Sequence, residues 1–184
     1  NTDSMGVAVA DIATVAAPDT AELTENSGVA MSVRQPGILF SINDSDNEPL
    51  LFAMDTLGAR RGVWRLTGAT NVDWEAVSVG PCPRVRDCVY VGDTGDNDAT
   101  LRSRAIYRVP EPRARDTRDS LVAERLSYVY EDQPHDVEAM YVTAYGSVVL
   151  ITKRRLRDAK GQPRPALLSL LPESAWSERR TAVA

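Results

Sequence analysis

The sequence predicts an all-β fold: a β-propeller of four-stranded antiparallel blades, with about three blades in 184 residues, half of a six-bladed ring. Three observations lead there. First, an inner motif recurs, since "SGVAMSV" (Ser27 to Val33), "DWEAVSV" (Asp73 to Val79) and "DVEAMYV" (Asp136 to Val142) superpose without gaps on Ala30, Ala76 and Ala139. Second, the runs around each copy are short, rich in Val, Ile, Tyr and Phe, and bounded by Gly, Pro, Asn and Asp, as strands are. Third, no stretch sustains a helical period.

Residues 1–21 read as an N-terminal strand or extension. Its apolar stretch "MGVAVADIATVAA" is broken by Asp11 and has no basic flank, so it is neither a transmembrane helix nor a complete signal peptide. A start at Asn1 instead of Met fits a processed or trimmed chain. The partial propeller then spans 22–184, with blades at about 22–68, 69–131 and 132–184. Each blade opens on its inner motif and continues into "ILFSIND" ending at Asp44, "CVYVGD" ending at Asp93, or "VVLITK" ending at Lys153. The intervals from the aligned Ala to these final residues are 14, 17 and 14, the longest holding a loop with Cys82 and Cys88. Third strands follow in "LLFAMD", "AIYRVP" and "ALLSLL", and fourth strands in "GVWRLT", "AERLSYVY" and "RRTAVA". The segment "PEPRARDTRDS", rich in Pro and charge, reads as a solvated connection. Trp64 and Trp74 are expected between blades. Because propellers close with about four to eight blades, a second copy in a homodimer or a missing C-terminal half would complete the ring.

Cys82 and Cys88 are the only cysteines, and their spacing suits a disulfide stapling a hairpin end. Two reduced thiols are the alternative, and a structural zinc site fits least because the chain has one His to add to them. A disulfide implies an oxidising compartment. A net charge of -5 disfavours a nonspecific nucleic-acid partner, and no segment reads as a membrane span.

The pieces "ENSGVAMS", "PGILFSINDS", "LFAMDT", "GATNVDWEAVSVGPCP", "CVYVGDTGDN", "IYRVPEP" and "HDVEAMYV" followed by "VVLITKR" together resemble a family of bacterial secreted β-propeller proteins, mostly uncharacterised. The family is distantly like the phytase-like and esterase-like propellers. The likeness covers about Glu22 to Leu171 and implies a propeller fold in an extracellular or periplasmic setting. Members are usually longer, and Asp46 stands where a Gly often sits.

In an antiparallel pair the start of one strand lies beside the end of the next. Glu75 is therefore expected beside Asp93, Glu138 beside Lys153, and Ser27 with Val29 beside Asp44, all ringing one channel mouth with Asp73. Asp46, Glu48, Asp96, Asn97 and Asp98 would join from loops. Clustered carboxylates are costly to hold unless a proton or cation neutralises them. Asp44, Glu75, Asp93, Asp96 and Glu138 are thus candidate ligands for Ca²⁺, which takes about six to eight oxygens. The plain alternative is that Asp and Asn serve the turns, with Glu138 and Lys153 an ordinary ion pair. His135, the only histidine, reads as a surface loop residue or a general base. "KRRLRDAK" (Lys153 to Lys160) reads as a solvated basic hairpin loop. The common hydrolase and nucleotide-binding signatures are absent from the sequence. Two functions follow: a secreted binding module with an acidic, Ca²⁺-binding mouth, or a metal-dependent phosphoester or ester hydrolase of phytase-like type.

Overall fold

A computed structural model describes residues 17–18, 21–153, 160–162, 166–177 and 181–184. Most of the N-terminal extension and most of the basic loop after Lys153 lie outside the described residues. Three sheets follow one another along the chain, and there is no α-helix among the described residues. The first is an antiparallel meander of β1 (Asn26–Met31), β2 (Ile38–Asn43), β3 (Leu50–Asp55) and β4 (Arg60–Thr67). The second repeats that meander with β5 (Trp74–Cys82), β6 (Val85–Asp93) and β7 (Arg104–Pro110). After β7 the chain leaves the second sheet and lays β8 (Ser120–Val122) parallel to β4, making the first sheet five-stranded. It then returns as β9 (Glu124–Val129), antiparallel to β7. The third sheet holds β10 (Val137–Val142), β11 (Val148–Thr152) and β12 (Leu168–Leu171), also antiparallel. A single 3-10 turn, Glu173–Ser177, leads to β13 (Ala182–Val183), which pairs in parallel with β9.

The last pairing corrects one expectation. The end of "RRTAVA" forms β13 on the second sheet instead of a fourth strand on the third. The reason is a repeated exchange: β8 carries a backbone bond from Ala123 N–H to the Thr67 carbonyl, and β13 carries the equivalent bond from Ala184 N–H to the Val129 carbonyl. Each short strand caps the edge of the preceding sheet, which would otherwise expose unpaired backbone groups.

The sheets pack face to face through two apolar layers. Phe40, Ile42, Leu51, Trp64 and Leu66 of the first sheet meet Trp74, Val77, Val91 and Tyr107 of the second. On its other face the second sheet presents Tyr90, Ile106, Leu126 and Tyr128 to Val137, Leu150 and Leu171 of the third. Trp64 and Trp74 are completely buried, as expected of residues between sheets. Close approach is built in at Gly28, where a Cβ would lie 3.1 Å from the Val77 side chain. With β5 lying against both β1 and β10, the opening strands of the three sheets are neighbours.

The connection "PEPRARDTRDS" departs from a simple solvated loop. Glu111 and Ala114 in it are buried. The Glu111 carboxylate accepts hydrogen bonds from the Ser32 hydroxyl at 2.6 Å and the Gln35 amide at 2.9 Å, while the Ala114 N–H donates to Gln35 at 2.8 Å. These bonds tie the loop to the β1–β2 turn and so deliver β8 to its edge. Cys82 and Cys88 form the disulfide, across the far end of the β5–β6 hairpin. It points to an oxidising, extracellular-type environment. No helix among the described residues is long and apolar enough to cross a membrane.

Candidate functional site

Each inner hairpin carries the same irregularity. The β1–β2 register skips between Asn26 and Gly28, the β5–β6 register between Trp74 and Ala76, and the β10–β11 register between Val137 and Ala139. Ser27, Glu75 and Glu138 are the residues bulged out, one per sheet. A bulge leaves one residue unpaired and re-aims its side chain. The backbone bonds closing each hairpin are also equivalent, from Asp44 N–H to Glu25, from Thr94 N–H to Asp73 and from Lys153 N–H to Asp136.

These equivalences shift the alignment of the first repeat. Gly28, not Ala30, matches Ala76 and Ala139. Strand side chains alternate with period two, so a two-residue slip keeps every residue on its own face. The apolar pattern alone could not distinguish the two registers.

At the rim, Asp44, Asp73 and Glu75 each bring one carboxylate oxygen within 4.8 Å of the others, and all three are partly buried. Asp44 arrives from the end of β2, Asp73 precedes β5, and Glu75 is the bulge residue of β5. Ser27 donates its hydroxyl to Glu75 Oε2 at 2.6 Å, joining the first sheet to the second. Gly95 closes the floor: a Cβ there would lie 2.4 Å from Asp73 Oδ2 and 2.8 Å from Glu75 Cγ. Only a residue without a side chain lets the Thr94–Gly95 backbone pass so near both acids. The same backbone donates two N–H groups to the Asp73 carbonyl, each at 3.1 Å.

Burial pushes the Glu75 carboxyl up to about 7; the Ser27 hydroxyl opposes this, and the charges of Glu138, Asp44 and Asp73 add to it. Burial likewise raises Asp73, opposed by Arg104 and reinforced by Asp44, Asp136 and Asp93. The rim therefore concentrates negative charge in a poorly hydrated place.

Several residues expected at the mouth are otherwise engaged. Asp93 stands opposite Trp74, not Glu75. It is buried, pairs with Arg104 at 3.1 Å and accepts the Asp73 N–H at 2.8 Å. Its β2 counterpart Asn43 accepts the Glu25 N–H in the same way, so this position holds the loop before the inner strand. Asp93 is raised by burial, with Arg104 opposing. Asp96 folds onto its own loop, accepting the N–H groups of Thr100 and Leu101 at 3.0 and 2.8 Å. Both of its carboxylate oxygens are thus used to shape the turn. Glu138 and Lys153 form the expected ion pair, with Asp136 3.7 Å from the same ammonium. Glu48 pairs at the surface with Arg65.

Two residues underrated by the sequence matter here. Arg104, buried with side-chain exposure of 3%, neutralises Asp93 beneath the rim; nothing in "LRSRAIYRV" distinguishes it from its neighbours. His135 is buried rather than a surface residue, with Nε2 2.9 Å from Asp132 and its ring edge-on to Tyr130. It anchors the connection into β10 and is not a member of the three-carboxylate group. Asp46 takes φ of 60°, the left-handed conformation that a Gly would adopt freely.

Chemically the cluster offers hard oxygen donors of one sign at short range, a set suited to Ca²⁺ or Mg²⁺ and unsuited to soft metals. No protein-family model matches the chain, and no curated protein matches it significantly.

Proposed function

We propose that this chain is a secreted, propeller-type binding module whose acidic rim takes a divalent cation of the Ca²⁺ class. The observation that carries the reading is the convergence of Asp44, Asp73 and Glu75, from two sheets, to within 4.8 Å. Three like charges at that range, one with its pKa lifted to about 7, are relieved by a cation that replaces the missing counter-charge. In this reading the three sheets are blades, the bulges mark the channel mouth, and a second copy or further blades complete a six-bladed ring. The disulfide across the far end of the β5–β6 hairpin suits an extracellular or periplasmic setting. The bound cation would then present open coordination positions to a ligand at the mouth.

Calorimetric titration with Ca²⁺ and with Mg²⁺ tests the site. Binding heat that is lost in Asp73→Asn and Glu75→Gln, with both variants folded, supports it; absence of heat and of any change in Tm removes the metal.

A second reading, metal-dependent phosphoester or ester hydrolysis, is favoured by one feature. A carboxyl with pKa about 7 can exchange a proton near neutrality and so activate water beside a metal. A phosphatase and esterase screen in the presence of Ca²⁺ separates the readings: turnover abolished by Glu75→Gln, with cation binding measured independently, would establish the enzyme.

A further inference from the structure

The second and third sheets carry the same pair of acids, and in the third sheet that pair already holds a cation. The residue whose carbonyl closes the inner hairpin is Asp73 in the second sheet and Asp136 in the third, and the bulge residue is Glu75 in one and Glu138 in the other. In the third sheet Lys153 Nζ contacts Glu138 Oε1 and lies 3.7 Å from Asp136 Oδ2, so the two carboxylates grip an ammonium. In the second sheet the place of Lys153 is taken by Thr94, which has no charge and donates its hydroxyl to the Val137 carbonyl at 2.9 Å. Arg104 does not pair with the Asp73 carboxylate either, because its guanidinium is bonded to Asp93 and to the Asp73 carbonyl. The first sheet instead adds Asp44, a third carboxylate, to Asp73 and Glu75. Of two equivalent acid pairs, one is filled by the chain's own ammonium and the other faces only a further acid.

We propose that Asp44, Asp73 and Glu75 form a seat for a primary alkylammonium group, the head of a lysine side chain or of a small amine. The inference rests on the reading of the rim as a cation seat, and it names an organic cation that competes with Ca²⁺ there. Lys153 shows this chemistry on equivalent side chains of the same protein. Donor count and spacing agree with it. A protonated primary amine has three N–H donors, and the seat offers three carboxylate oxygens, one from each residue. Oxygens within 4.8 Å of one another share a point no farther than about 2.8 Å from each, the length of a charge-assisted N–H···O bond. A guanidinium is a planar fork that matches the two oxygens of one carboxylate better than three oxygens from three residues. A quaternary ammonium has the charge and no N–H to donate. All three carboxylates are only partly buried, so an alkyl chain can bring its head in from solvent.

Calorimetric titration of the full chain, freed of divalent cations, with butylamine and with the peptide acetyl-Gly-Lys-Gly-amide tests the seat. At least one of the two is expected to bind with Kd of about 1 mM or tighter. Asp73→Asn and Glu75→Gln, each shown to be folded by near-UV circular dichroism, should weaken that binding at least about tenfold, because each removes a charge-assisted bond. Tetramethylammonium should give no heat. Tighter binding of the peptide assigns the head to a protein lysine, and equal or tighter binding of butylamine assigns it to a small amine. No heat from either amine, equal binding of tetramethylammonium, or undiminished binding in either folded variant would overturn the proposal. Amine binding that persists unchanged under saturating Ca²⁺, in a protein that binds Ca²⁺, would put the amine elsewhere and overturn it as well. Ca²⁺ heat without amine heat would sink this inference alone, whereas amine heat without Ca²⁺ heat would sink the metal reading alone.

Discussion

Replacing Glu75 by Gln should make the protein more stable at neutral and alkaline pH, an unusual sign for removing a charged surface-rim residue. The unfolded carboxyl titrates near 4.5, whereas in the folded protein burial lifts it to about 7. Between those values the folded state binds more protons than the unfolded one, so stability falls as pH rises through that window and stays lowered above it. The unscreened displacement is worth about 3 kcal/mol. Because Glu75 is only partly buried, solvent screening reduces the expected effect to about 1–2 kcal/mol. A Gln carbonyl can still accept the Ser27 hydroxyl, so the substitution removes the charge and keeps the bond. Urea unfolding from pH 4 to 8.5, with no divalent cation, reads the outcome: the curves of wild type and variant should meet near pH 4 and separate above pH 6. Saturating Ca²⁺ should reverse the order at pH 7.5, since ligand at a hundred times Kd stabilises wild type by about 2.7 kcal/mol. A difference between the two proteins that is constant across the pH range would refute the burial argument.

Three further outcomes follow from the same geometry. Arg104→Met should destabilise the fold by about 3–5 kcal/mol at pH 7, because Asp93 would be left charged and buried; the loss should shrink in Arg104→Met combined with Asp93→Asn, measured by urea unfolding. Gly95→Ala should weaken cation binding at least about tenfold in calorimetry, since its Cβ would stand 2.4 Å from Asp73 Oδ2 and must push the carboxylates apart. The disulfide closes a loop with a sequence separation of only 6, so its reduction, or Cys82→Ser with Cys88→Ser, should cost about 2 kcal/mol of unfolding free energy in urea, with rim affinity unchanged.

The sequence carried the strands because each obeys local rules. β-Branched and aromatic residues alternate in "ILFSIN" and "CVYVGD", and Gly, Asp and Asn punctuate them, so the meanders and the hairpin staple between Cys82 and Cys88 were legible. Antiparallel pairing, which sets the start of one strand beside the end of the next, also placed Asp73, Glu75 and Glu138 at one end of their hairpins. Three things were not legible. A period-two pattern is unchanged by a two-residue slip, which hid the alignment of Gly28 with Ala76. The parallel capping strands β8 and β13 are two or three residues long, too short to carry a pattern, and their partners lie in another sheet. Whether an acid is free or paired depends on what stands across from it, so Asp93 and Asp96 looked like Asp44 and Asp73 until Arg104 and the Thr100–Leu101 amides were placed beside them.

By itself, then, the sequence determined an all-β chain of repeated antiparallel hairpins, the disulfide, and the end of each hairpin at which acidic residues gather, because alternation, turn chemistry and spacing act over a few residues. Tertiary structure decided which carboxylates meet and which are neutralised, because those depend on distances between residues from different sheets. A bulge in each inner pair joins the two levels: a local break in register that becomes a rim only when neighbouring sheets bring Ser27, Glu75 and Asp44 together.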